Sequence, residues 1–172
     1  MEEALRYISN HDVLTGLYNR TYFTEELVRL QKGRRFPVSV IIGDIDDLKL
    51  INDRCGHGMG DKLLKQAARL FESVIRQGDV IARTGGDEFI ILLPETNEET
   101  ANQCTLRIRE LLRKKSKEGH RLSISLGTTT ACKGTSINKI MKIADEQMYL
   151  EKEERKLHRD MQPNSNQISL FH

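Results

Sequence analysis

The chain alternates short apolar runs with longer stretches where apolar residues recur every three or four positions. Val40, Ile41 and Ile42 are consecutive and run into Asp44. A segment apolar at every position reads as a strand covered on both faces, here over 38–44. Before it, Phe23, Leu27 and Leu30 share one face of a helix over 21–31. After it, a short helical turn is expected over 47–53, then a glycine-rich loop, Gly56-His57-Gly58-Met59-Gly60. Leu64, Ala67, Ala68, Phe71 and Ile75 form the buried stripe of a helix beginning near Asp61 and running to about Gln77. Two apolar runs, 79–84 and 87–94, flank Gly85-Gly86. That spacing predicts a hairpin whose tight turn uses the positive φ open to glycine. Thr96 or Asn97 can cap a helix reaching about Lys115. A strand over 122–130 follows, and Ser136 opens a last helix ending near Leu157.

The core order is β-α-β-β-α-β, the split unit of ferredoxin-like folds. Right-handed crossovers make the first two strands parallel. The third then lies between them, antiparallel to both. This sets the C-terminal end of the first strand, Asp44, beside the start of the third, Asp87 and Glu88. Carboxylates more than forty residues apart therefore meet at one sheet edge. The fold class is α+β, with an antiparallel-containing central sheet flanked by helices.

Composition narrows the function classes. Of 172 residues 38% are hydrophobic and 30% charged, which is globular and excludes a fibrous or fully disordered chain. No apolar run approaches the length of a membrane span, and nothing resembles a signal peptide. A cytoplasmic protein without a membrane segment is expected. A net charge of +2 gives no footprint for duplex nucleic acid. Cys55, Cys104 and Cys132 are odd in number and widely spaced, which suits a reducing compartment. Cys104 falls on the apolar stripe of Ala101, Ile108 and Leu111 and reads as core. His57 reads as a loop hydrogen-bonder. Residues 1–11 form a linker stub, 12–160 the domain and 161–172 a flexible tail without charged side chains.

Asp44-Ile45-Asp46-Asp47 after a strand suits helix capping when taken alone. An EF-hand fails, because Lys49 stands where the loop requires glycine. Grouped with Asp87 and Glu88, the segment suits a hard cation completed by phosphate oxygens. Two such ions about 4 Å apart can activate an attacking oxygen and stabilise a leaving one.

Arg83-Thr84-Gly85-Gly86-Asp87-Glu88-Phe89 resembles the signature hairpin of the GGDEF family, the diguanylate cyclases. Other segments match in order: Asp12-Val13-Leu14-Thr15-Gly16-Leu17 with Asn19-Arg20; Asp44-Ile45-Asp46, Lys49, Asn52-Asp53, Gly56-His57 and Gly60-Asp61; Ser125-Leu126-Gly127; and Ala144-Asp145, Tyr149 and Lys152. The resemblance covers 12–157. It implies a fold like the nucleotidyl cyclases and the polymerase palm, and condensation of two GTP into cyclic di-GMP, a bacterial second messenger, with loss of two pyrophosphates. It further implies that Asp44, the Ile45 carbonyl, Asp87 and Glu88 bind Mg2+, with Mn2+ as a substitute. Asp87 would be the base for the 3′-hydroxyl, with Glu88 able to share that role. Asn52 and Asp61 would read guanine, since a carboxylate accepts from N1–H and N2–H₂. Lys49, Lys152 and Lys156 would meet phosphates, and Gly85 and Gly86 would leave room for the nucleotide. Arg76-Gln77-Gly78-Asp79 matches the family's RxxD inhibitory site, where Arg76 and Asp79 would bind product, with Arg107 as a further contact. Each also has a plainer reading: Asn52 capping the loop after the short helix, Asp61 as the N-cap of the long helix, solvated charges for the lysines, a helix-end Arg and a turn Asp for the tetrad.

The chain departs from the family pattern at Leu48, where Phe is usual, and at Gln147 and Glu151, where small residues are usual. It departs again at Arg155-Lys156-Leu157, in place of Gly-Arg-Asn. Lys156 keeps charge but loses the guanidinium fork. Glu151, Glu153 and Glu154 add negative charge to the phosphate-binding helix. The product joins two GTP symmetrically, so a homodimer is expected, with each domain orienting one reactant. An upstream sensory domain is expected in the full-length protein. The alternative is a catalytically weak domain that binds GTP or cyclic di-GMP and signals by contact.

Overall fold

The computed structural model describes residues 7–117 and 122–161. Its elements are α1 (Arg20–Lys32), β1 (Val38–Ile45), α2 (Leu48–Cys55), α3 (His57–Glu72), β2 (Val80–Arg83), β3 (Glu88–Leu93), α4 (Glu98–Lys117), β4 (Ile124–Ala131) and α5 (Ile137–Met161). The four strands lie in the order β2-β3-β1-β4. β3 sits between β1 and β2, antiparallel to both, as the crossover argument requires. β4 closes the other side, antiparallel to β1. Every residue of β1 is buried, which is what its unbroken apolar run predicts.

Alternation along the strands divides the core into two layers. Ile41, Ile45, Phe89 and Ile91 face α3 and α4. Val40, Ile42, Ile90 and Leu92 face α1 and α5, where Phe23, Ile140, Ala144 and Met148 complete the layer. Asp44 and Glu88 pair directly in the β1–β3 register, so they lie on the face that α5 covers.

Three local expectations need correction. The glycine-rich stretch after α2 is helical from His57 onward, not a loop reaching Asp61. Gly56, at φ 85, alone turns the chain between α2 and α3. Gly60 lies inside α3 because α2 packs so closely there that a Cβ would collide with the Asn52 amide. At its other end α3 stops at Glu72, and Ser73 caps it by donating to the Leu70 carbonyl at 2.6 Å. Val74 and Ile75 still pack against the core from the following turn.

The β2–β3 connection is the second correction. Four residues, 84–87, separate the strands, and neither Gly85 nor Gly86 has a positive φ. A longer loop relieves the geometry that a two-residue turn demands. It closes through the Thr84 amide on the Glu88 carbonyl at 3.1 Å and the Arg83 guanidinium on the Gly86 carbonyl at 2.8 Å.

Third, α5 runs on to Met161, past Leu157. The remainder of the expected tail, 162–172, and residues 1–6 of the stub lie outside the described residues. Residues 7–10 are helical, and His11 bridges to Tyr18. His11 also stacks on Tyr7, with ring centroids 3.9 Å apart. Asn97 caps α4, accepting from the Thr100 amide at 2.9 Å. Cys104 is only half buried, at the margin of the core.

Candidate functional site

The C-terminal end of β1, the hairpin before β3 and the last turns of α5 enclose a cleft of about 670 Å³. Its walls carry Asp46, Asp47, Asp53, Asp87 and Glu153 on one hand and Lys49, Lys152, Arg155, Lys156 and Arg159 on the other. Asp44 lies just behind it, buried at the end of β1.

Asp44, near the end of β1, and Asp87, the last residue of the loop before β3, share one ammonium. Lys152 Nζ pairs with Asp44 Oδ1 and lies 3.9 Å from Asp87 Oδ2. Burial pushes the Asp44 carboxyl up to about 6; the Lys152 hydrogen bond opposes this, while the Asp87 charge adds to it. Burial alone would lower Lys152, but Asp44, with the Asp87 and Asp46 charges, outweighs it and holds the amine above its ordinary range.

Asp46 lines the same cleft but is held by other donors. It accepts from the hydroxyls of Ser123 and Ser125, both at 2.6 Å, with Arg155 3.8 Å away. Asp47 holds the left-handed conformation at φ 59, which Asp tolerates, and pairs with Arg159. Glu88 stands opposite Asp44 in the register, but its Oε1 accepts from the Thr84 hydroxyl at 2.6 Å.

Among the described residues no group of three or more His, Cys, Asp or Glu is gathered as a ready cage for a metal. Two hard-oxygen carboxylates already wrapped around one positive charge nevertheless fit Mg2+, which is held by one or two carboxylates and completed by phosphates and water. The Ile45 carbonyl is the backbone oxygen that follows Asp44 at the strand end.

The remaining expected residues fall in two groups. Lys49, Lys152 and Lys156 line the cleft. Gly85 and Gly86 are exposed at the hairpin tip, and a Cβ on Gly86 would meet nothing within 4 Å. Asn52 and Asp61 do not line the cleft. They are brought to each other through Gly60: the Asn52 amide covers it, and Asp61 is the next residue. Asn52 Oδ1 is buried with no hydrogen-bond partner.

The tetrad 76–79 lies beside a separate hollow of about 250 Å³ that Arg35 and Glu95 also line. Arg76 is fixed by Asp79 at 3.4 Å, by the Pro94 carbonyl at 2.9 Å and by the Thr96 hydroxyl at 2.8 Å. Arg107 does not line this hollow. It and Asp79 act in opposite senses on the Cys104 thiol, which burial first pushes up.

Sequence reasoning gave no role to Ser123, Arg155 or Arg159, and placed Asp46 only within a candidate cation-binding segment. The signal for the basic pair was present: residues 152, 155, 156 and 159 follow the i, i+3, i+4, i+7 spacing of one helical stripe, and all four are Lys or Arg. Glu151 is not the expected burden of negative charge. It accepts from Arg109, Arg155 and the Leu126 amide. Burial alone would raise its carboxyl, but these donors hold it below the usual range.

The family described as "Diguanylate cyclase, GGDEF domain" matches residues 9–158. The chain is 37% identical over 153 residues to diguanylate cyclase DgcM of Escherichia coli, covering 87% of this chain and 37% of DgcM. It is 36% identical over 160 residues to diguanylate cyclase DosC of the same organism, covering 88% of this chain and 35% of DosC. The chain thus spans little more than a third of either relative. Among solved structures, the coiled coil and GGDEF domain of DgcB from Caulobacter crescentus, in complex with c-di-GMP, gives a TM-score of 0.78 at 25% identity over 88% of this chain and 85% of that one. Diguanylate cyclase SiaD of Pseudomonas aeruginosa, in complex with its activator SiaC, gives 0.74 at 29% identity, over 89% of this chain and 62% of SiaD.

Proposed function

The chain belongs to the GGDEF family of diguanylate cyclase domains, and from that premise we propose that it condenses two GTP into cyclic di-GMP. The observation that carries the reading is the meeting of Asp44 and Asp87 around one ammonium at the cleft. A triphosphate needs positive charge where these carboxylates would otherwise repel it.

Asp44, the Ile45 carbonyl and Asp87 would hold Mg2+, with Glu88 joining when it leaves Thr84. When bound, the ion neutralises triphosphate charge and favours ionisation of the 3′-hydroxyl. Asp87 lies half buried at the hairpin mouth, where it would accept the 3′-hydroxyl proton. Each 3′-oxygen forms a bond to the other nucleotide's α-phosphorus as the bond to pyrophosphate breaks. Two phosphodiester bonds form and two pyrophosphates leave. Lys49, Lys152 and Lys156 line the cleft and would bind the phosphates. Asn52, with its unpartnered oxygen, and Asp61 would read guanine.

One domain offers one such cleft, so the reaction requires two domains face to face. The Arg76 and Asp79 hollow would take the product as an inhibitor. Input from a sensory domain in a longer protein belongs to the same reading, since DgcM and DosC are longer than this chain.

A second reading, a domain that holds nucleotide without turning it over, is favoured by the Thr84 hydroxyl holding Glu88. Incubation with GTP and Mg2+ at rising protein concentration, with cyclic di-GMP detected by mass, separates the two. Product forming more steeply than in proportion to protein supports the cyclase. No product, with cyclic di-GMP binding retained, supports the second reading.

A further inference from the structure

Strand β4 is an edge of the sheet, so alternate backbone amides along it lack a strand partner. Two of them are met by side chains of α5. The Thr128 amide donates to Gln147 Oε1 at 3.0 Å, and the Leu126 amide donates to Glu151 Oε2 at 3.1 Å. The match is metric. Four helical residues rise about 6 Å and two strand residues about 6.7 Å, so an i, i+4 pair on a helix spans an i, i+2 pair on a strand. Between the two contacts, Gly127 lets the helix lie directly on the strand; a Cβ there would collide with the Ala144 carbonyl.

Glu151 does more than cap. Arg109, from α4, holds both its oxygens, at 2.5 and 2.8 Å. Arg155, one turn further along α5, donates to Oε1 at 2.6 Å and reaches the Ser123 hydroxyl at 3.0 Å. Ser123 in turn donates to Asp46. One carboxylate thereby ties together α4, α5 and the edge of the sheet. It touches neither Asp44 nor Asp87 and does not line the cleft. Its neighbour in sequence, Lys152, does both. Adjacent residues on a helix point about 100° apart, so a slip of α5 by one residue would swing Lys152 away from the carboxylates.

We propose that Glu151 is a positioning residue, aided by Gln147, that locks α5 in register on β4 and so sets the Lys152 ammonium across Asp44 and Asp87. The proposal deepens the cyclase reading by giving its phosphate-binding lysine a fixed place, and its structural half holds whether or not the cleft turns over GTP. It also explains two departures from the family pattern with one geometry: Gln147 and Glu151 are the acceptors that this edge strand uses.

The test labels lysines with acetic anhydride and reads Lys152 against exposed Lys142 by mass. In Glu151→Ala, Lys152 should label about fivefold faster relative to Lys142, because its ion pair is no longer held. Glu151→Gln keeps an acceptor for the Leu126 amide and should fall between. Arg109→Ala supplies a second route to the same loosening if Glu151→Ala does not fold. In turnover assays Glu151→Ala should raise KM for GTP about tenfold with kcat changed much less. In a Lys152→Ala background the same substitution should leave KM within about twofold, since coupled sites are not additive. Unchanged Lys152 labelling in folded Glu151→Ala and Arg109→Ala would overturn the proposal, as would full additivity with Lys152→Ala. Absence of turnover in the unsubstituted protein would count against the cyclase reading alone, and the labelling result would still decide the role of Glu151.

Discussion

Asp44 and Glu88 face each other across the β1–β3 pair, yet their carboxylates are held apart: Asp44 takes the Lys152 ammonium and Glu88 takes the Thr84 hydroxyl. Like charges directly opposite on one sheet face are destabilising. Here each has been given its own donor. The hairpin loop supplies one and α5 the other, so the site's charge balance depends on both elements.

The Thr84 hydroxyl should matter as a donor rather than as bulk. Thr84→Val leaves Glu88 one charged hydrogen bond short, a loss of about 1.5–3 kcal/mol in a half-buried setting. A lower Tm for Thr84→Val, with Thr84→Ser near the unsubstituted protein, is the expected result by thermal unfolding.

Two glycines should respond oppositely to alanine. Gly127→Ala drives a methyl into the Ala144 backbone and is expected to cost about 1–3 kcal/mol or more. Gly58→Ala, inside α3 with nothing within 4 Å, should stabilise by up to about 1 kcal/mol. Chemical denaturation of both variants checks the pair.

The Asp44 carboxyl is raised from 3.8 to about 6 in the fold, chiefly by burial. The folded state therefore binds that proton more tightly than the unfolded chain. The stability gained by protonation is complete below 3.8 and is lost as pH rises through 6. In metal-free protein, Asp44→Asn should melt a few degrees higher than the unsubstituted chain at neutral pH, with the gap closing on acidification. Melting curves across that window test it.

Asp12 has the opposite sign. Burial alone would raise it, but the Thr15 hydroxyl and amide and the Arg83 guanidinium hold it below 3.8. Its contribution is present above 3.8 and is lost as pH falls through the lower folded value. Asp12→Asn should therefore lower Tm at neutral pH and lose that effect in strong acid.

The sheet order was legible because handed crossovers leave few arrangements for β-α-β-β-α-β. The same argument brought Asp44 beside Glu88 before any coordinate. Other features were not legible, each for a physical reason. His57 to Gly60 look like a loop by composition, but close packing of Asn52 on Gly60 makes a helical glycine favourable. Gly85-Gly86 look like a two-residue turn, yet Thr84 and Asp87 also leave the strands. Glu151 looked like excess charge because its partners, Arg109 and the Leu126 amide, are distant in sequence. The Arg155 and Arg159 stripe could have been read from helical spacing alone.

The central claim is that Asp44 and Asp87 together hold the charge for a GTP condensation. Its most direct test is the rate of cyclic di-GMP formation from GTP and Mg2+ by the unsubstituted domain and by Asp87→Asn, at matched high concentration and with folding checked by Tm. The account expects product from the first and a fall of about a hundredfold or more in the second, at nearly equal Tm. Equal rates in the two proteins would contradict it.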